Sequence, residues 1–148
     1  DYGCRVASSL DDMASKVDAV SIAVPTVHHL ASAEPFLKAG KAVLIEKPLA
    51  PDSATARRIL ELAKKHKAPL MVGHIERFNP AVRSMLELSL TPRFIEVDRI
   101  SPLTFRSIDV GVVLDLMIHD LDIVLTLARS KVKSVDAVGV GVIGGGDG

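Results

Sequence analysis

The stretch VLIEKPLA, Val43 to Ala50, runs from a β-branched apolar segment straight into a glutamate, a lysine and a proline. A lysine at the edge of a buried strand is partly desolvated. There it can hydrogen-bond a substrate hydroxyl and stabilise alkoxide charge as it develops. Pro48 would fix the backbone so that Lys47 is aimed at a ligand. The bland alternative is a solvated Glu46–Lys47 pair at a turn. A second candidate is DLMIH, in which Asp115 and His119 interrupt an otherwise apolar helix. At i and i+4 they share one face. A histidine titrates near neutral pH and suits removal of a hydroxyl proton, while the aspartate can orient it or bind another hydroxyl. The alternatives are a buried Asp–His hydrogen bond, or a metal site for which no third ligand stands nearby. The remaining histidines, His28, His29, His66 and His74, form no ligand pattern, so no metal is assigned. Arg77, Arg99 and Arg106 make a third set, suited to bidentate binding of phosphate or carboxylate, with ordinary surface charge as the alternative.

These residues need elements to position them. Ser9 followed by Asp12 caps a short helix reaching Lys16. AVSIAV, Ala19 to Val24, reads as a strand ended by Pro25. VHHLASAEPFLKAG has helical spacing and closes on Gly40, with Pro35 expected to kink it or mark a first turn. KAVLI is a second strand. PDSATARRILELAKKHK is the clearest helix, capped by Asp52 or Ser53, with Ile59, Leu60, Leu62 and Ala63 as its apolar face. APLMVG is a third strand. Strands alternating with helices predict βαβ units and a parallel sheet covered on both faces. Ligands bind beyond the carboxyl ends of such strands, and VPTVHH, IEKP and VGHIER stand at those ends. After Gly73 the rhythm changes. HIERFNP reads as a polar loop, AVRSMLELSL as a helix and RFIEVDRI as a strand with one wet face. SPLTFRSIDVG is irregular, VVLDLMIHDLDIVLTLAR is a long helix and VKSVDAVGVGVI another strand. The division is expected between 1–76 and 77–148.

Composition narrows the function classes. The 148 residues carry 18 basic and 18 acidic side chains, leaving no excess to neutralise a nucleic-acid backbone, and aromatic residues are scarce. The single cysteine, Cys4, rules out an intrachain disulfide and fits a reduced, cytoplasmic setting. No apolar run reaches the length of a membrane span. Neither G-x-S-x-G nor a P-loop occurs, and the terminal GGGDG has no helix after it to make a dinucleotide fingerprint. A start without methionine and a glycine-rich end suggest a piece cut at both ends.

Taken in order, these motifs resemble one family. VPTVHHLASAEPFLKAGKAVLIEKPLA is similar to the back half of the nucleotide-binding domain of the Gfo/Idh/MocA oxidoreductases, through Pro25, Thr26, His29 and Glu46-Lys47-Pro48. VGHIERFNPAV resembles the segment that follows, although Ile75 and Glu76 replace an asparagine and an arginine common in the family. Asp115 and His119 match its D-x-x-x-H helix. The resemblance implies the C-terminal half of a Rossmann-type α/β domain, without its glycine-rich turn, followed by the start of an α/β substrate domain with an open sheet. It implies NAD or NADP, with Pro25, Thr26, His29, Glu46 and Lys47 along the cofactor. Lys47 and His119 become the catalytic pair, helped by Asp115, and association into a homo-oligomer through the C-terminal sheet is expected. GHIERFNPAV, DRISPLTFR and VVLDLMIHDLDIV are similar to the UDP-N-acetylglucosamine 3-dehydrogenase branch. That branch implies oxidation of a nucleotide-sugar hydroxyl to a ketone, with Arg77, Arg99 and Arg106 as candidates for substrate contacts. The alternatives are a dehydrogenase of inositol or another free sugar, a non-catalytic binding or regulatory protein on this scaffold, and an inactive truncated piece.

Overall fold

A computed structural model describes residues 3–101 and 111–141. The chain divides into two compact units, Asp1–His74 and Ile75–Gly148.

In the first unit, α1 (Leu10–Lys16) begins at Ser9, whose hydroxyl accepts the Asp12 N–H at 3.0 Å. Then follow β1 (Ala19–Ile22), a 3-10 turn (Thr26–His28), α2 (His29–Lys38), β2 (Ala42–Ile45), α3 (Ser53–His66) and β3 (Leu70–Val72). The strands form a parallel three-stranded sheet in the order β1-β2-β3, with Ser21, Leu44 and Met71 in one row and Ile22, Ile45 and Val72 in the next. Pro35 lies inside α2. Gly40, at φ 68°, ends that helix: its left-handed turn lets the Lys41 N–H reach the Phe36 carbonyl at 3.0 Å.

Alternation along the strands sorts the two faces of the sheet. Ile22, Val43 and Ile45 are buried together with Ala33, Phe36 and Leu37 of α2 and Ile59 and Ala63 of α3. Each large apolar side chain withdrawn in this way contributes roughly 1.5–3 kcal/mol. Coverage of both faces, expected from the βαβ rhythm, is not what the described residues show. α2 packs on β1 and β2, with α1 and α3 against it, and the opposite face keeps Leu44 and Met71 exposed. The expected apolar face of α3 is narrower too, because Leu60 points to solvent while Ile59 and Ala63 are buried.

The α3 cap yields a pH test. The Asp52 carboxylate accepts the Thr55 N–H at 2.7 Å and the Thr55 hydroxyl at 2.9 Å. These bonds, the backbone one first, hold Asp52 below the ordinary aspartate range. A depressed carboxylate stabilises the fold above its unfolded value, and that contribution disappears as pH falls through the folded value. An NMR titration should therefore show the Thr55 amide shifting at a pH below the ordinary aspartate value of about 4. Asp52→Asn should abolish that transition while keeping the helix, because asparagine still caps.

In the second unit a 3-10 turn (Ile75–Phe78) replaces the expected polar loop, and α4 (Pro80–Glu87) starts at Asn79, whose side chain accepts the Ala81 N–H. The expected strands over 93–100 and 132–143 are not strands where the structure describes them. A strand exists through the ladder it makes with a neighbour, and among the described residues neither segment has one. The apolar side chains on 94, 97 and 100 are all exposed, as are those on 132, 135, 138 and 140. The long helix is also not uniform. A π-helical turn (Val113–Met117), closed by the Ile118 N–H on the Val113 carbonyl, leads into α5 (Ile118–Ala128).

Candidate active site

Within the first unit, the chemistry-bearing residues stand at the carboxyl ends of the parallel strands. The ladder runs one residue past β2 and β3. The Glu46 N–H donates to the Ile22 carbonyl at 3.0 Å, and the Gly73 N–H to the Ile45 carbonyl at 2.8 Å. Glu46 and Gly73 thus lie side by side. A Cβ on Gly73 would come within 3.0 Å of Glu46 Oε2 and 3.2 Å of its Cδ, so glycine lets the carboxylate lie across the end of β3. Lys47 follows, half-buried, before a buried Pro48, and the peptide bond between them is cis. Beyond β1, Pro25 is exposed and Thr26 is half-buried at the start of the 3-10 turn. A carboxylate, an ammonium and a hydroxyl at adjacent strand ends suit the hydroxyl-rich ribose of a dinucleotide. These residues fit a dinucleotide cofactor such as NAD or NADP.

His29 is placed differently from the expectation that it lines the cofactor. It is 1% exposed. Nε2 lies 3.0 Å from the Val24 carbonyl and Nδ1 lies 3.2 Å from the Leu49 carbonyl. Both ring nitrogens face protein backbone, so neither is turned to a ligand. The sequence carried a signal for this: 29, 33, 36 and 37 make the buried stripe of α2, with the histidine in an otherwise apolar row. His74, directly after β3, escaped attention as a site residue. Its Nδ1 is buried with no hydrogen-bond partner among the described residues. Its position at a strand end was the available clue.

Within the second unit, Asp115 lies in the π-helical turn, and its N–H donates to the Gly111 carbonyl at 3.1 Å. His119 follows in the first turn of α5; both side chains are half-buried, and the His119 Nδ1 atom is buried. π turns of this kind recur at functional sites.

Arg77 and Arg99 are both engaged in ion pairs. Arg77 donates Nε and Nη2 to the Asp122 carboxylate at 2.6 and 2.5 Å. Arg99 does the same to Asp120 at 2.7 and 2.6 Å. Each guanidinium is raised above its ordinary value by the carboxylate it bonds. Each fork is held by an acidic residue of α5. Asp120 and Asp122 were missed in the sequence, though charges in so apolar a segment as IHDLDIV invite a partner. Arg106 lies outside the described residues. Among the described residues no group of three His, Cys, Asp or Glu side chains is arranged to hold a metal ion. No helix there is long and apolar enough to cross a membrane.

The sequence and fold are similar to those of known proteins. The model of the Gfo/Idh/MocA oxidoreductase family, described as having an NAD-binding Rossmann fold, matches residues 1–74. UDP-N-acetylglucosamine 3-dehydrogenase of Acidithiobacillus ferrooxidans is 40% identical over 141 residues, covering 95% of this chain and 45% of that protein. Inositol 2-dehydrogenase of Rhizobium meliloti is 33% identical over 92% of this chain and 44% of that protein. The chain therefore spans a little under half the length of these relatives. Among solved structures, the Acidithiobacillus UDP-N-acetylglucosamine 3-dehydrogenase superposes with a TM-score of 0.87 over 95% of this chain and 47% of that one, at 40% identity. The scyllo-inositol dehydrogenase of Lactobacillus casei superposes with a TM-score of 0.66, at 26% identity over 82% of this chain and 40% of that one. Relatives that match across nearly the whole chain, and a family model spanning its strand-end residues, lead to one conclusion: the chain belongs to the Gfo/Idh/MocA family of oxidoreductases.

Proposed function

We propose that the full-length protein carrying this chain is an NAD(P)-dependent dehydrogenase that oxidises a sugar hydroxyl to a ketone, with a nucleotide sugar such as UDP-N-acetylglucosamine as substrate. The observation that carries this reading is the 40% identity to a UDP-N-acetylglucosamine 3-dehydrogenase over 95% of the chain. In this reading, residues 1–76 belong to the NAD(P)-binding domain and residues 77–148 begin the substrate and oligomerisation domain of a cytoplasmic homo-oligomer. Thr26, Glu46 and Lys47 hold the nicotinamide ribose. NAD(P), when bound, supplies the hydride acceptor. The Lys47 ammonium hydrogen-bonds the reacting hydroxyl oxygen and stabilises the negative charge left as its proton departs. His119 takes that proton as general base. Asp115 orients the imidazole or holds a neighbouring hydroxyl.

A second reading has its own support. Arg77 and Arg99 are engaged by Asp122 and Asp120, which leaves fewer cations for a diphosphate, and inositol 2-dehydrogenases are also similar to this chain. A panel assay separates the two. Reduction of NAD and NADP should be much faster with UDP-N-acetylglucosamine than with free glucose, N-acetylglucosamine or inositol, because remote binding energy from the nucleotide positions the ring. Preference for inositol over every nucleotide sugar would select the second reading. Inactivity on all of them would remove both.

A further inference from the structure

We infer that His29 is a positioning residue that ties the Lys47 loop to α2 through the Leu49 carbonyl, and that this tie is the one the reaction needs. This rests on the assignment of Lys47 to the reacting centre.

Three observations lead to it. His29 opens α2 and sits in that helix's buried stripe beside Ala33, Phe36 and Leu37, so its ring is held firmly by packing. Its nitrogens then reach two segments distant from each other in sequence: Val24, just past β1, at 3.0 Å, and Leu49, two residues past Lys47, at 3.2 Å. At its near end, the loop it grips is joined to the sheet by the Glu46 N–H on the Ile22 carbonyl. An imidazole fixed by its helix thus anchors the far side of the Glu46-Lys47-Pro48-Leu49 segment. A neutral ring carries one N–H and satisfies one of the two carbonyls; a protonated ring satisfies both. A residue kept for packing alone would have no use for nitrogens here, since phenylalanine would fill the same stripe without presenting two polar atoms to be satisfied.

The geometry gives each nitrogen its own probe. The amide nitrogen of asparagine falls near the Nδ1 position and can keep the Leu49 tie. The amide nitrogen of glutamine falls near Nε2 and can keep the Val24 tie. Phenylalanine keeps the shape and neither tie. In the full-length enzyme, His29→Asn should retain turnover within about threefold of wild type, whereas His29→Gln and His29→Phe should each lose about tenfold or more, since small misplacements of a reacting group are expensive. The Michaelis constant for NAD(P) should change little in all three. Hydrogen exchange gives a readout independent of activity: the Leu49 and Ala50 amides should exchange faster in the Gln and Phe variants than in the Asn variant, while those of Ile59 to Ala63 stay protected. Equal turnover in Asn and Gln variants, wild-type turnover in the Phe variant, or equal loss of fold in all three would overturn the positioning role. If the wild-type enzyme oxidises no sugar, the dehydrogenase reading fails, and the exchange pattern still decides whether the tie exists.

Discussion

Lys47→Met in the full-length enzyme should lower turnover about a hundredfold or more, with the Michaelis constant for NAD(P) moved far less. Methionine keeps the length and apolar stem of lysine and removes only the ammonium. The half-buried site between a core strand and a buried proline can accept that change without unfolding. In the proposed role, what is lost is one charged donor to the oxygen on which negative charge develops. Such a group is typically worth roughly 3 kcal/mol of barrier. The split between turnover and cofactor affinity is the informative part. In the proposed site Glu46 and Thr26 would still hold the ribose, so a variant that fails mainly in cofactor binding would assign Lys47 to the cofactor and not to the reaction. Stopped-flow measurement of the first turnover at saturating cofactor separates the two. Single-turnover rates equal to wild type would remove Lys47 from the catalytic step.

How much of this was legible beforehand depended on the range of the interactions involved. The βαβ half is specified locally. The Ser9 and Asp52 caps, the Gly40 stop and the β-branched strand segments each act within a few residues, and each appears where the sequence put it. The sheet's bare face could not be read, because covering Leu44 and Met71 depends on which segments pack there and not on the strands themselves. The same holds for 93–100, where alternating apolar and charged residues suit a strand yet form no strand ladder among the described residues. The strand-end positions of Thr26, Glu46 and Lys47 were legible because these residues sit at fixed offsets from strands. The arginine pairings were not: Arg77 meets Asp122 at a separation of 45 residues and Arg99 meets Asp120 at 21, and no local pattern announces a partner so far away. His29 lies between these cases. Its register in α2 was visible, but its two carbonyl partners become neighbours only once the sheet has formed.

His119→Asn should be as costly as loss of Lys47, and the pH dependence of its rate should identify the cause. A general base in this role contributes typically about 10²–10⁴-fold. It works only in its neutral form, so the wild-type rate should rise with pH across the range in which a histidine gives up its proton. Asparagine keeps a polar, hydrogen-bonding group on the same turn of α5 but cannot accept the proton. The variant should therefore be slow at all pH values near neutrality and should lack the wild-type rise. Asp115→Asn tests the neighbouring position in the π-helical turn. If Asp115 only orients the histidine, its loss should be milder than that of His119 and should displace the pH profile without flattening it. If instead it binds a sugar hydroxyl, the Michaelis constant for the sugar should rise with the profile unmoved. A solvent isotope effect on the wild-type turnover, lost or diminished in His119→Asn, would tie the limb to proton transfer. Turnover in His119→Asn close to wild type, with the pH limb intact, would place the base elsewhere.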